Sequence, residues 1–172
     1  GTDRIAEVAV RLDADIIVNV QGDEPEVHAN MIDQVIDTLV EDKETVMATL
    51  ANIIKDATEL ANPNVVKVVL DNRGYALYFS RSQIPYVRDG KDPINEPGVT
   101  FLKHLGMYAY RRDFLLRYSK LPASALESAE KLEQLRALSN GYKIKVAITN
   151  YTSRGIDTRE DLTAFIERYK HD

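Results

Sequence analysis

Asp13-Ala-Asp-Ile-Ile-Val-Asn-Val-Gln-Gly-Asp-Glu-Pro25 is the stretch whose reading decides the fold. Ile16, Ile17, Val18 and Val20 form a short, nearly continuous apolar run. That pattern predicts a strand buried on both faces, as in the middle of a parallel sheet. The run stops at Gln21-Gly22-Asp23-Glu24-Pro25, where Gly22 frees the backbone and Pro25 ends any ladder. Ligands of open α/β sheets sit just beyond the carboxyl ends of the strands. An amide and two carboxylates at that edge are therefore a candidate polar site, and hard carboxylate oxygens suit Mg²⁺ carried by a nucleotide. An acidic strand-to-helix turn without chemistry explains the same five residues, and the pattern alone does not choose between the two.

Upstream, Thr2 can cap a helix in which Ile5, Val8, Ala9 and Leu12 share one face. No strand with a phosphate-binding loop precedes it, although a doubly wound fold begins with one. The expectation is that these residues are the carboxyl-terminal portion of a longer chain. Downstream, helices are predicted near Met31 to Glu41 and from Asp56 to Ala61, with a strand from Thr45 to Ala51 between them. Val65 to Leu70 and Tyr75 to Phe79, joined by Asn72-Arg73-Gly74, read as an antiparallel hairpin, which makes the sheet mixed. The segment from Tyr86 to Thr100 is a long charged loop with Pro93 and Pro97. A strand from Leu102 to Tyr110 and a short helix from Arg112 to Tyr118 follow. The spacing then predicts one long helix from Ser124 or Glu127 to about Ser139, stopped by Asn140-Gly141. A strand spans Tyr142 to Thr149. Thr158 with Asp161 opens a last helix expected to bury Leu162, Phe165, Ile166 and Tyr169.

The 172 residues suffice for one domain, 1–172, with strands and helices alternating about a mixed sheet. A net charge of -5 speaks against nucleic acid as a partner. No apolar run approaches the ~20 residues needed to cross a bilayer, so no membrane span is expected. With no cysteine there is neither a disulfide nor a thiolate site, which fits a cytoplasmic protein.

Several residues are of types that carry chemistry. Asp23 and Asp157 each lie just past a glycine that follows an apolar strand, and they matter together only if their two sheet edges adjoin. His104 and Tyr108, four apart on one strand, share a face with Gly106, which leaves room for a ligand. Glu127, Glu130 and Glu133, with Gln134 and Arg136 beside them, read either as a solvated charged face or as part of a site. Arg81, at a strand exit, suits a carboxylate or phosphate as well as a surface ion pair.

Five segments taken together resemble one family. They are Asn19-Val-Gln-Gly-Asp-Glu-Pro25, Tyr78-Phe-Ser-Arg-Ser-Gln-Ile-Pro85, Lys103-His-Leu-Gly-Met-Tyr-Ala-Tyr110, Leu132-Glu-Gln-Leu-Arg136 and Gly155-Ile-Asp-Thr-Arg-Glu-Asp161. In order and spacing they are similar to the 3-deoxy-manno-octulosonate (KDO) cytidylyltransferases, from Gly1 to about Lys170. The resemblance implies a nucleotide-diphospho-sugar-transferase-like, Rossmann-like α/β fold, a mixed sheet flanked by helices. It further implies a homodimer of the bacterial cytoplasm that joins CTP and KDO into CMP-KDO and pyrophosphate for lipopolysaccharide assembly. By the same resemblance, Asp23 and Asp157 would be Mg²⁺ ligands. Gln21, Arg81, His104, Tyr108, Glu133 and Gln134 would line the KDO pocket, Asp23 and Arg81 carrying the catalytic roles. Asp3 and Arg4 would lie near the nucleotide. Family members begin with a strand and a basic, glycine-containing loop that grips the triphosphate. That section does not precede Gly1, so the 172 residues alone are expected not to catalyse. A cytidylyltransferase for a related acid sugar, or a non-catalytic binding or dimerisation fragment, are the alternatives.

Overall fold

Hydrophobic periodicity and turn chemistry divide the first half into α1 (Thr2–Ala9), β1 (Ile16–Asn19), α2 (Ala29–Glu41), β2 (Met47–Ile53), α3 (Ala57–Ala61), β3 (Lys67–Leu70) and β4 (Ala76–Ser80). The second half holds β5 (Leu102–Arg111), α4 (Arg112–Tyr118), α5 (Ala125–Glu130), α6 (Gln134–Ser139), β6 (Ile144–Ile148) and α7 (Arg159–Arg168). The structure, a computed structural model, describes residues 2–88, 92–152, 155–156 and 158–170, apart from the side chains of Asp3 and Asp161.

The sheet runs β4-β3-β5-β2-β6, with β1 joined to β5. β5 is its axis. It pairs antiparallel with β2 from Leu102 to Tyr110, while its other edge is shared by β3, at Leu102 and Lys103, and β1, from Tyr108 to Arg111. Between those two partners the edge at Leu105–Met107 is left for side chains. The hairpin of β3 and β4 is antiparallel and β2 pairs parallel with β6, so the sheet is mixed as expected. The apolar run at Ile16 does not lie in a parallel array: β1 pairs antiparallel with β5, its one partner among the described residues. Ile17 faces one core cluster while Ile16 and Val18 pack on the other. Apolar residues on both faces produced the pattern, but such a run carries no information about the direction of its neighbours.

Helix α2 covers one face of the sheet with Met31, Val35 and Leu39, fully buried on Ala48, Leu50, Met107 and Ala109. At about 1.5–3 kcal/mol per buried side chain, this packing outweighs the roughly 1 kcal/mol of its His28 cap. The opposite face holds Phe114, Leu115 and Tyr118 of α4 with Leu135 and Ala137 of α6. Here α1 packs through Ala6 and Ala9, whereas Val8 and Leu12 of the expected face are exposed. Thr2 does not act as a cap; it is the first residue of α1, and its hydroxyl donates to Glu133. The long helix expected to span about Ser124 to Ser139 is two helices, because Lys131 adopts a left-handed conformation (φ 54°) between α5 and α6. The last helix differs too: Leu162, Ile166 and Tyr169 of the α7 segment are 44–50% exposed rather than buried.

Two polar ties hold the hairpin. The Lys67 ammonium, buried, donates to the carbonyls of Asn62, Val65 and Arg81 at 2.6–2.9 Å. Tyr75 donates its phenol to Asp42, and that hydrogen bond, with Lys145 nearby, lowers the Asp42 pKa from 3.8 to about 2. A carboxyl depressed on folding stabilises the fold above its ordinary pKa, and the contribution is lost as pH falls toward the folded value. Stability should therefore drop between about pH 4 and pH 2. Asp42→Asn should flatten that part of the profile while lowering stability at pH 7, as read by urea unfolding at stepped pH.

Candidate active site in the gap along the central strand

Opposite Leu105–Met107 the register of β2 against β5 slips between Thr49 and Leu50, so that Thr49 pairs with Tyr108 and Leu50 with Leu105. Such a bulge leaves carbonyls without ladder partners and re-aims side chains. Side chains fill the deficit: the Thr49 hydroxyl lies 3.1 Å from the Leu105 carbonyl and 2.7 Å from that of Met107. From the other edge Gln21 Nε2 donates to the Gly106 carbonyl at 3.3 Å. The Gln21–Pro25 loop lies tight on this bulge. A Cβ on Gly106 would stand 3.3 Å from Glu24 Oε1 and 3.5 Å from Gln21 Cγ, so the glycine admits the loop's close approach.

Beside the bulge is a cavity of about 310 Å³, lined by Gln21 of the loop, His104, Tyr108 and Tyr110 of β5, and Glu133 and Gln134 at the start of α6. Thr2 and Lys131 also line it. The helix break creates this wall. Glu127 pairs in bidentate fashion with Arg136, Glu130 accepts from the Ser80 hydroxyl and the Arg81 amide, and Glu133 accepts from Thr2 at 2.7 Å. The three glutamates leave in three directions rather than along one stripe, Glu127 and Glu130 half-buried and Glu133 exposed.

The chemistry of the lining follows from burial. Burial pushes the His104 pKa down to about 3, so the ring is neutral at physiological pH. Its Nε2 lies 3.0 Å from Thr49 Oγ1. With the hydroxyl's single proton given to the nearer Met107 carbonyl, Nε2 would be the donor in this contact and Nδ1 the acceptor. Burial raises the Tyr108 phenol well above its ordinary value, and Tyr110 likewise, keeping both protonated and able to donate. Gln134 is 5% exposed, and its amide nitrogen has no partner among the described residues. Gln134 is one of the lining residues, and a buried donor without an acceptor is costly unless a ligand or water supplies one. The arrangement offers donors and acceptors of the kind that hydroxyl groups pair with, and no activated nucleophile stands among its described residues.

The remaining sequence-expected residues fall around this cavity or outside it. Asp23 is exposed in the loop, with no side-chain hydrogen bond among the described residues, and its carbonyl accepts from the Ile156 amide at 2.7 Å. Asp157 lies outside the described residues. Arg81 does not line the cavity: its Nε donates to the Glu130 carbonyl and its Nη1 to that of Pro63, bracing the turn that precedes Glu133. Arg4 is exposed on α1, and the Asp3 side chain is not described. Among the described residues, no three His, Asp or Glu side chains converge as a metal cluster. Thr2 and Thr49 were missed by sequence reasoning. Nothing in an apolar alternation marks Thr49 as the residue that closes a bulge.

Residues 1–144 match the family described as Cytidylyltransferase. The 3-deoxy-manno-octulosonate cytidylyltransferase of Geotalea uraniireducens (strain Rf4) is 53% identical over 175 residues, covering 99% of this chain and 70% of the relative. The enzyme of that name from Geobacter sulfurreducens is 50% identical, with 99% and 70% covered. A solved CMP:2-keto-3-deoxy-manno-octonic acid synthetase complexed with CTP superposes with a TM-score of 0.89 at 42% identity, over 99% of this chain and 68% of that one. HddC from Yersinia pseudotuberculosis complexed with GMP-PN gives a TM-score of 0.60 at 12% identity, over 98% and 61%, a likeness of fold alone.

Proposed function

The chain belongs to the cytidylyltransferase family, among the 3-deoxy-manno-octulosonate cytidylyltransferases, and from that premise we propose that it joins CTP and KDO into CMP-KDO, releasing pyrophosphate, for lipopolysaccharide synthesis. The observation that carries the reading is the cavity itself. Gln21, His104, Tyr108, Glu133 and Gln134, from three separate parts of the chain, meet around one space that holds a buried unpartnered donor.

In this reading the sugar's anomeric oxygen attacks the α-phosphorus of CTP, the bond to pyrophosphate breaks, and the hydroxyl proton is lost. The chain's residues bind and orient. His104 Nδ1 accepts from one sugar hydroxyl, while Tyr108 and Gln134 Nε2 donate to oxygens. Arg81, with Nε and Nη1 engaged, is proposed to meet the sugar's carboxylate through Nη2. Asp3 and Arg4 are proposed to approach the nucleotide, next to Thr2 on the cavity wall. Asp23 and Asp157 are the proposed Mg²⁺ ligands: Asp23 offers a hard carboxylate without other described partners, and its backbone carbonyl accepts from the amide of Ile156, the residue before Asp157. When bound, Mg²⁺ supplies charge screening and orientation of the phosphates. A homodimer in the cytoplasm belongs to the same proposal, and no helix of the described residues is long and apolar enough to cross a membrane.

The test is pyrophosphate release in the complete protein. Release should require CTP, KDO and Mg²⁺ together. An equal rate with sialic acid in place of KDO would overturn the sugar assignment.

A further inference from the structure

The loop from Gln21 to His28 carries Asp23 and is tied at both ends. At its start Gln21 Nε2 donates to the Gly106 carbonyl and the Glu24 amide donates to the Gln21 carbonyl, while at its end Val27 packs on the core and His28 caps α2. Further ties run to residues after β6. Asn52 Nδ2 first pins that exit, donating to the carbonyls of Thr149 and Tyr151 at 2.6 and 2.9 Å. The Tyr151 ring then stacks on His28, with centroids 4.3 Å apart and planes 18° from parallel. The Ile156 amide reaches the Asp23 carbonyl. Finally Arg168 grips the Glu26 carboxylate with two bonds, Nε at 3.0 Å and Nη2 at 2.9 Å.

We propose that the Arg168–Glu26 ion pair is a clasp that positions the Asp23 loop from the far end of the chain. The argument turns on what else holds α7. Its described side chains are exposed or at most half-buried, and Leu162, Ile166 and Tyr169 stay 44–50% exposed. Apolar packing therefore contributes little to docking α7, and the bidentate contact to Glu26 is a direct polar link from it to the loop. Glu26 is the more buried partner, its side chain 16% exposed against 35% for Arg168. A planar guanidinium on a carboxylate fixes orientation as well as distance, which a lysine would not do. The clasp thus sets where the backbone at Asp23 stands relative to the segment leading to residue 157. Arg168 and Glu26 are positioning residues, acting through the loop without touching substrate.

The consequence for the metal rests on the function proposed above, whereas the consequence for the loop does not. The experiment uses Arg168→Ala, Glu26→Ala and the exchanged pair Glu26→Arg/Arg168→Glu in the complete protein. Amide hydrogen exchange is read at residues 22–26, and Mn²⁺ binding in the presence of CTP is read by the free-ion EPR signal. Each single variant should speed exchange at the loop about 10-fold and weaken Mn²⁺ binding about 10-fold, the size expected for an outer-shell support. The thermal midpoint should fall by at most a few degrees, since the pair is part-exposed and ties a loop to an end helix rather than the core. The exchanged pair should recover most of both effects. Unchanged loop exchange in Arg168→Ala, or an exchanged pair no better than the singles, would overturn the clasp. If the parent protein leaves the Mn²⁺ signal unaltered with CTP, the metal reading fails, and the exchange data still decide the clasp.

Discussion

Asp23→Asn is expected to lower turnover of CTP and KDO by at least about 100-fold, the range lost when a charge-stabilising group leaves a phosphoryl-transfer site. The unfolding temperature should stay within about a degree of the parent, because exposed positions without specific contacts rarely matter to stability. Both halves follow from one geometry. The carboxylate is exposed in the loop after β1 and makes no side-chain bond among the described residues, while the backbone carbonyl holds the Ile156 amide and survives the substitution. Asparagine keeps the shape but removes the negative charge that a divalent cation needs. Retained turnover at saturating Mg²⁺ would remove Asp23 from the metal site. A large fall in unfolding temperature would mean the residue is structural instead.

Gln134→Met should separate binding from stability in opposite directions. In the free protein the Gln134 amide nitrogen is buried without an acceptor, a deficit of roughly 1–3 kcal/mol. A methionine of similar volume removes it, so the unfolding temperature should rise by at least about 2–4 °C. The same change deletes a donor from the cavity wall, and KM for KDO should rise about 10-fold or more with kcat less affected. Calorimetry of the ligand-free protein and steady-state kinetics with varied KDO measure the two effects. An unchanged KM would place the sugar elsewhere. A drop in stability would show that water or a neighbour already serves the amide.

Much of this was legible in the residues themselves. The hairpin of β3 and β4, the Asp56 cap of α3, the Ser124–Glu127 capping box and the stop at Gly141 (φ 81°) are local, and local chemistry specifies them. The cavity-lining character of Gln21, His104, Tyr108, Glu133 and Gln134 was reached through the resemblance of five ordered segments, and the structure gathers those residues around one space. Other features had no local signature. Lysine seldom adopts the left-handed conformation, so nothing at Lys131 announces that a helical run will break there and turn Glu133 into the cavity. The apolar face of α7 reads as buried because periodicity reports a preference for burial, not the presence of a surface to bury against.

The sequence by itself determined the class of the fold and most of its element boundaries, because periodicity, caps and turn residues act over a few positions, whereas the candidate site residues came from the resemblance of five ordered segments. Tertiary structure alone decided that β1 lies antiparallel to β5, that Thr49 closes a bulge beside Gly106, and that burial keeps His104 neutral. Each of those depends on burial or pairing between residues dozens of positions apart, and no local pattern records which distant group supplies the partner.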